Sequence, residues 1–512
     1  MKISYIAIVI GLAVQSALAV PKLQPRRTSI LINPDAQPDL PSPQNARFTG
    51  VTPAIGGLNL NDIQGDILIG MKKKKELFFF FSITDAATFK SKLSSDIKPF
   101  ITSTNQLLSS STQPITAVNI AFSQAGLTAL GVSDNLDDDA FTNGQFANAA
   151  KLGDAGTTNW VSGFAGTKIH GVFLLASDTV DNVDNELANL QNILGCSISE
   201  IHRLAGAARP GDQEGHEHFG YMDGISQPAI EGFTQNVSDG LGTVAPGELL
   251  VGETGDSLQS SRPSWATGGS FLVFRQLQQM VPEFNKFVAN NALSIPGLSQ
   301  QENEDLFGAR LFGRWKSGAP IDLAPLRDDV DLAKNSSRNN NFTFNHPEIP
   351  KFTLASNQTN CPFSAHIRKT RPRADLGSDN TTHHHIMRAG IPYGPEVTDA
   401  EAYAQQSSTD PALERGLAFV AYQSNIAQGF EFMQEQWVNN ANFIFGKPTP
   451  PGVDPIIGRV PGSAADTPRN VSGTDPLNPS KQFSLDVEFV VSRGGEYFFS
   501  PPISALSSVF AA

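Results

Sequence analysis

Residues 215 to 228, "GHEHFGYMDGISQP", hold one carboxylate, Asp223, between a Gly-aromatic-Met step and a further glycine. Three chemistries compete there: a metal site using His216 and His218, a tight turn, or an acid–base group beside a bound cofactor. Asp before Gly is a common turn pair, because the short carboxylate bonds nearby backbone and glycine accepts a positive φ. Acid–base work needs the carboxylate close to a bound group, where burial and neighbours tune its pKa. His216 and His218 alternate, so on a strand they share a face, but two ligands do not complete a metal site. "THHHI" sets His383, His384 and His385 in a row, which reads as a solvated loop, since successive side chains diverge on a strand.

"CPFSAHIRKTRPR" (361–373) is more informative. His366 stands among Phe363, Ala365 and Ile367 and is followed by Arg368, Lys369, Arg371 and Arg373. A buried imidazole beside a row of cations suits an iron ligand with anionic propionates nearby. A core histidine next to a solvated basic face is the structural alternative. Cys361 is either a soft ligand or a small buried residue. "IMRAGIPYGPE" (386–396) puts Arg388 in an apolar stretch, where it either pairs with a carboxylate or stabilises developing negative charge.

These residues need a frame to hold them. A chain of 512 residues has room for two packed units, and 40% apolar with 17% charged residues describes an ordinary globular protein. The net charge of −13 argues against nucleic acid or an anionic membrane surface as partner. The opening "MKISYIAIVIGLAVQSALAV" reads as a secretory signal: Lys2, an apolar run, then Ala17-Leu18-Ala19. We therefore expect a signal peptide over 1–19, a propeptide over 20–56 and an exported protein with no membrane span. Six Asn-x-Ser/Thr sites fit export. With Cys196 and Cys361 alone, one disulfide is possible, and the lack of Cys-x-x-Cys-His excludes covalent c-type haem.

Strands alternate with helices. "ELFFFFSI" (76–83) predicts a buried strand and "DAATFKSKLSSDI" a helix after it. Residues 117–132 and 170–195 repeat the strand–helix theme. In the second half, 268–292 echoes 76–97, and 414–438 echoes 117–132, which predicts two duplicated α+β modules. The stretch "TGDSLQSSRPSW" (254–265) marks a boundary, giving an N-terminal module over 57–265 and a C-terminal one over 266–512. Between about 300 and 400 little regular structure is expected, and "KNSSRNNNFTFNH" (334–346) reads as a surface loop.

Taken as an ordered set, "GYMDG", "CPFSAHIRKTRPR", "IMRAGIPYGPE" and "GGEYFFSPP" (494–502) resemble fungal dye-decolorizing peroxidases. The resemblance runs from about residue 57 to the C-terminus and includes "DIQGDIL", "RPSWATGGSFLVFRQL" and "GARLFGRWKSGAPIDL". It implies an α+β fold of two ferredoxin-like modules with antiparallel sheets sandwiching one non-covalent haem b. Asp223 and Arg388 match the family's distal acid and arginine, and His366 its proximal iron ligand. Asp454 in "GVDPIIG" falls where members orient that histidine, although an Asp-Pro turn is the plainer reading. Arg368 is implied as a propionate partner, and Tyr393 and Trp437 as exposed aromatics that can be oxidised.

The implied enzyme is a monomeric, extracellular peroxidase that reduces hydrogen peroxide and oxidises bulky anthraquinone dyes and phenolic, lignin-related compounds. Asp223 would move the peroxide proton and Arg388 would stabilise the anion formed as the O–O bond breaks. A carboxylate base predicts an acidic optimum. A metal-dependent secreted hydrolase built on the histidine runs and a haem carrier without turnover are the competing readings. Only the enzyme requires both Asp223 and Arg388.

Overall fold

The run Lys75–Ile83 is apolar on both faces, and both faces are buried. In the computed structural model it forms strand β1. Phe78 and Phe80 point to one side, packing on Phe274 at ring distances of 5.0 and 4.8 Å. Leu77, Phe79 and Phe81 face the other way, into a core shared with a helix. The structure describes residues 54–512 apart from 56, 72–73, 109–112, 167, 236, 238–239, 241, 378–382 and 464–466. The expected signal peptide and nearly all of the expected propeptide lie outside the described residues.

Helix α1 (Ala86–Lys92) follows β1, capped by Asp85, whose carboxylate accepts Thr88 N–H. Strands β2 (Ala117–Phe122) and β3 (Gly171–Ser177) come next. Helix α2 (Val180–Leu194) buries Val183, Leu187, Leu190 and Leu194, the three-and-four spacing of one helix face, and ends at Gly195. Strand β4 (Ile198–Ala207) completes the first module, with sheet order β4-β1-β3-β2, all antiparallel. That is the ferredoxin-like order.

The second module repeats it. Strand β5 (Ser270–Gln279) leads into α3 (Val281–Asn290), and then come α4 (Gln300–Phe312) and the short α5 (His366–Thr370). Strands β6 (Met387–Arg388), β7 (Ile391–Tyr393), β8 (Gly416–Gln423) and β9 (Val490–Ser500) follow. Strand β5 lies between β9 and β8, and β8 pairs with both β6 and β7, giving the same order again. The duplication predicted from the echoed halves is therefore present. One of the echoes paired the wrong strands: β8 holds the third place of its module and so corresponds to β3, not to 117–132. "LAF" and "IAF" match because both strands are apolar, and apolar strands look alike.

The modules do not carry separate sheets. Strand β4 bonds to β7 at Gly206↔Tyr393, and β2 to β9 at Phe122↔Phe499, which closes one antiparallel ring. Closure removes exposed sheet edges. Phe78, Phe80, Leu174, Phe274, Tyr422 and Phe498 fill its interior. The stretch 254–265 is stitched down: buried Arg262 pairs with buried Asp256 at 3.1 Å and reaches the carbonyls of Leu136 and Ser424.

Helix α4 was not expected. Its signals were legible, because Ser299 and Glu302 form a capping box and Gly313 ends it at φ 91°. A side chain at Gly313 would strike Ile367 Cγ1 at 2.4 Å, so this glycine also lets α5 lie against α4.

Candidate active site

The alternation that places Phe274 inside the ring turns Arg275, Leu277 and Gln279 outward. With Leu417 and Phe419 of β8 and Val490 and Ser492 of β9 they wall one side of a cavity. The site therefore lies against the outer face of the second module, not between two opposed sheets.

Asp223 and Arg388 meet on one side of this cavity. Arg388 Nη1 donates to Asp223 Oδ1 at 2.6 Å, and Gly224 N–H donates to the same oxygen at 2.6 Å. Gly224 can supply that N–H because its φ is 75°. Both bonds fall on Oδ1, which leaves Oδ2 for a ligand in the cavity. The loop is sewn to the arginine. Gln227 Nε2 donates to Arg388 O at 2.6 Å, Arg388 N–H to Gln227 Oε1 at 3.1 Å, and Arg388 Nη2 to Ser226 O at 3.1 Å. Burial pushes the Asp223 pKa up, but Arg388, the Gly224 N–H and His366 outweigh it and hold the carboxyl below the ordinary range.

His366 and Asp454 form the second pair. Asp454 Oδ1 accepts Ile456 N–H at 2.8 Å and Ile457 N–H at 3.0 Å, so the plain turn is real, and Oδ2 is left for His366 Nδ1 at 2.8 Å. Burial raises the Asp454 pKa, but His366 and these two N–H groups outweigh it and keep it ionised. An ionised acceptor requires the proton on Nδ1, which leaves the Nε2 lone pair for a metal. Burial disfavours the imidazolium, yet Asp454 outweighs burial and raises the His366 pKa.

Of the four cations after His366, the structure separates the expected from the actual. Arg368 does not line the cavity. Its guanidinium bonds Asp375 at 2.7 and 3.0 Å and Cys361 O at 2.6 Å, and lies over the rings of Phe344 and Phe363. Lys369 Nζ donates to the carbonyls of Asn440, Phe443 and Gly452 at 2.8, 2.5 and 2.8 Å. Arg371 and Arg373 are the two that line the cavity, with burial pushing Arg371 down to about 10. Helical phase turns Arg368 away from His366, since residue i+2 on a helix points away from residue i, whereas Arg371 follows the last turn in non-helical backbone, at φ −145° and ψ 82°. An open imidazole nitrogen, walls of Leu277, Leu417, Phe419, Val438 and Ile457, and a buried guanidinium fit haem with an anionic edge.

The aromatic expectations are corrected. Tyr393 is 4% exposed and donates to Glu414 Oε1 at 2.8 Å; Trp437 is 3% exposed. Trp437 stacks on Phe443 at 5.3 Å and is flanked by Phe432 and His384, with Phe445 the exposed member of the stack. Neither presents its ring to solvent, as the resemblance implied. Three histidines of the metal reading have separate employment: His218 Nε2 bonds Tyr393 O, His383 bonds Glu248 and His384 bonds Gln428 O. Among the described residues no cluster of three or more metal-ligating side chains occurs. Cys196 is exposed, Cys361 is buried, and both are free thiols.

A second cavity adjoins the first across the Asp223–Arg388 pair, and Lys74 and Glu214 pair at 3.1 Å on its lining. Glu217, which stands between His216 and His218 in the sequence, lines both cavities. Gln279 is a further residue of the site with no motif of its own, while Gln227 and Arg371 lie inside quoted motifs without being singled out for the roles they take.

Residues 62–210 match the family model described as "DyP dimeric alpha+beta barrel domain", and residues 252–443 match "Dyp-type peroxidase, C-terminal". "Peroxidase 2" of Mycetinis scorodonius is 61% identical over 522 aligned residues, covering 100% of each chain. "Dye-decolorizing peroxidase msp1" of the same fungus is 60% identical, over 96% of this chain and 95% of its own. The crystal structure of a decolorizing peroxidase from Auricularia auricula-judae superposes with a TM-score of 0.84 at 53% identity. It covers 89% of this chain and 100% of its own.

Proposed function

Because the chain belongs to the dye-decolorizing peroxidase family, and is thus a haem-dependent peroxidase acting on dyes, we propose a specific reading of its site. It is a secreted enzyme that takes one non-covalent haem b and oxidises anthraquinone dyes and phenolic, lignin-related compounds with hydrogen peroxide. Asp223 and Arg388 activate the oxidant and His366 holds the iron. The observation that carries this reading is one cavity lined by both Asp223–Arg388 and His366.

Haem, when bound, supplies the two-electron reduction of peroxide and the one-electron oxidation of aromatic donors. His366 offers Nε2 to the iron, and Asp454 fixes the ring and increases its basicity. Arg371, which lines the cavity, would hold an anionic edge of the group. Asp223, ionised and bonded on one oxygen only, accepts the proton of peroxide and returns it to the departing oxygen. Arg388 stabilises the negative charge that develops there. The signal-like first twenty residues support export.

The test is an absorbance spectrum of the purified protein before and after one equivalent of peroxide. A Soret band that falls and shifts is expected, with His366→Ala abolishing haem retention and Asp223→Asn preserving it while slowing the peroxide response. A haem band indifferent to peroxide would make the protein a carrier. A colourless protein that reconstitution leaves colourless would overturn the reading.

A further inference from the structure

Glu217 is 8% exposed and stands on the wall shared by both cavities. Its Oε1 accepts Tyr221 N–H at 2.9 Å, and its Oε2 accepts Phe219 N–H at 2.9 Å and the amide of Gln279. Its backbone closes the same turn, with Glu217 N–H donating to Tyr221 O at 3.0 Å and Gly220 N–H to Glu217 O at 2.8 Å. One carboxyl group thus fixes the turn over 217–221, which ends two residues before Asp223, and ties it to β5. Gln279, 5% exposed, meets Glu217 through Nε2, while its Oε1 is buried with no hydrogen-bond partner among the described residues. A half-turn of the amide exchanges those two ends.

We propose that Glu217 is a positioning residue for Asp223, and that its proton decides which end of the Gln279 amide it holds. The geometry stands by itself; the consequence for catalysis rests on the peroxidase reading. With Glu217 ionised, all three N–H donors fall on carboxylate oxygens and Gln279 Oε1 stays buried without a partner among the described residues. With a proton on Oε2, the new O–H donates to Gln279 Oε1 after the half-turn. Phe219 N–H keeps the remaining lone pair of Oε2 and Tyr221 N–H keeps Oε1. The orphaned Oε1 gains a partner only in this second state.

Burial pushes the Glu217 carboxyl up to about 7, against the pull of the Phe219, Tyr221 and Gln279 N–H groups, and Asp223 raises it further. The groups that face it are Asp223 and Tyr221 from its own loop and Gln279 from β5. Arg209 reaches only the Glu217 carbonyl, at 2.7 Å, and is paired with Glu396. In acid the wall therefore carries no charge beside Asp223, which suits an anion developing beside Arg388. Above neutrality it holds a second carboxylate near Asp223, which opposes that anion.

The experiment uses the holoenzyme and the variants Glu217→Gln and Gln279→Met. Infrared difference spectra across pH read protonated carboxyl groups directly, and kcat/KM for hydrogen peroxide is profiled in parallel. The wild type should lose a carboxylic-acid band in a titration centred near 7. Glu217→Gln should lack part of that band, the rest belonging to buried Glu496, also pushed to about 7. Its alkaline limb for peroxide should move to higher pH. Gln279→Met keeps the turn's backbone bonds and covers the case in which Glu217→Gln does not fold. It should shift the band and lower kcat/KM for peroxide several-fold below neutrality. Bands and profiles that superimpose on the wild type in the folded variants would overturn the proposal. A band that responds in a wild-type protein inert to peroxide would sink the peroxidase reading and leave the switch intact.

Discussion

Arg388 donates to Asp223 Oδ1 at 2.6 Å across 165 residues of chain, and each side chain keeps a third of its surface open, 33% and 35%, on the cavity they line. A buried ion pair whose purpose was structural would have both carboxylate oxygens filled, as Glu401 does against Arg415. Here one oxygen is held and the other left for chemistry.

Removing either partner should therefore damage oxidant activation more than folding. Asp223→Asn and Arg388→Leu are each expected to lower kcat/KM for peroxide by about 10²–10⁴-fold, the range for a lost proton-transfer or charge-stabilising group. The haem spectrum of the resting enzyme should persist. Stopped-flow rates within about threefold of wild type would contradict these assignments.

The acid side of the pH profile follows from the direction of the Asp223 shift. Its pKa is lowered, so the ionised base survives below the usual carboxylate range, and the acid limb of kcat/KM should lie below about pH 4. An acid limb at pH 5 or above would show that another group limits the reaction.

The raised carboxyls should make themselves felt in stability as well. Glu217 and Glu496 have folded pKa values raised to about 7 from an ordinary 4.5. Their contribution is complete below the lower value and is lost as pH rises through the higher one. Buried His218, pushed down to about 4, and Lys369, pushed down to about 7, act in the opposite sense, so the share of Glu217 is read by difference. Glu217→Gln should gain Tm relative to wild type as pH rises from the ordinary carboxyl range through about 7. A difference in Tm that does not change with pH, by differential scanning calorimetry, would refute this.

Arg368 and Arg371 should separate folding from cofactor retention. Arg368→Ala leaves the buried Asp375 to Lys447 alone, at 2.8 Å, and should cost about 3 kcal/mol of stability, the upper range for lost hydrogen bonds to a charged group. Arg371→Ala should weaken haem retention about tenfold or more, the worth of one charge-assisted hydrogen bond, with a smaller loss of stability than Arg368→Ala. Haem transfer to an apo-acceptor protein, measured beside urea midpoints, distinguishes the two.

Trp437 and Tyr393 are covered, so bulky dyes cannot touch either ring directly. Trp437→Phe, which keeps the stack on Phe443 but removes the oxidisable indole, should cut anthraquinone-dye kcat several-fold and spare a small phenol. Tyr393→Phe loses the hydroxyl's bonds to Glu414 and Gln276 and should change dye turnover less. Unchanged dye kinetics in the double variant would place oxidation elsewhere.

By itself, the sequence determined the periodic and the chemically distinctive parts. "ELFFFFSI" is apolar on both faces and had to be a doubly buried strand; Val183, Leu187, Leu190 and Leu194 had to be one helix face. Asp223, His366 and Arg388 stood out because charge or imidazole in an apolar or glycine-rich stretch needs a reason. Only the tertiary structure decided the rest. Ring closure depends on Gly206 meeting Tyr393 and Phe122 meeting Phe499, pairings over separations that no local period encodes. Arg368 and Arg371 are alike as letters, but the phase of a five-residue helix sends Arg368 to Asp375, and Arg371, just past the end of that helix, lines the cavity. Burial of Tyr393 and Trp437, and the grip of Glu217 on the turn before Asp223, likewise depend on what distant segments bring against them. A side chain's type is local, whereas its surroundings are assembled from the whole chain, and it is the surroundings that set exposure, partner and pKa.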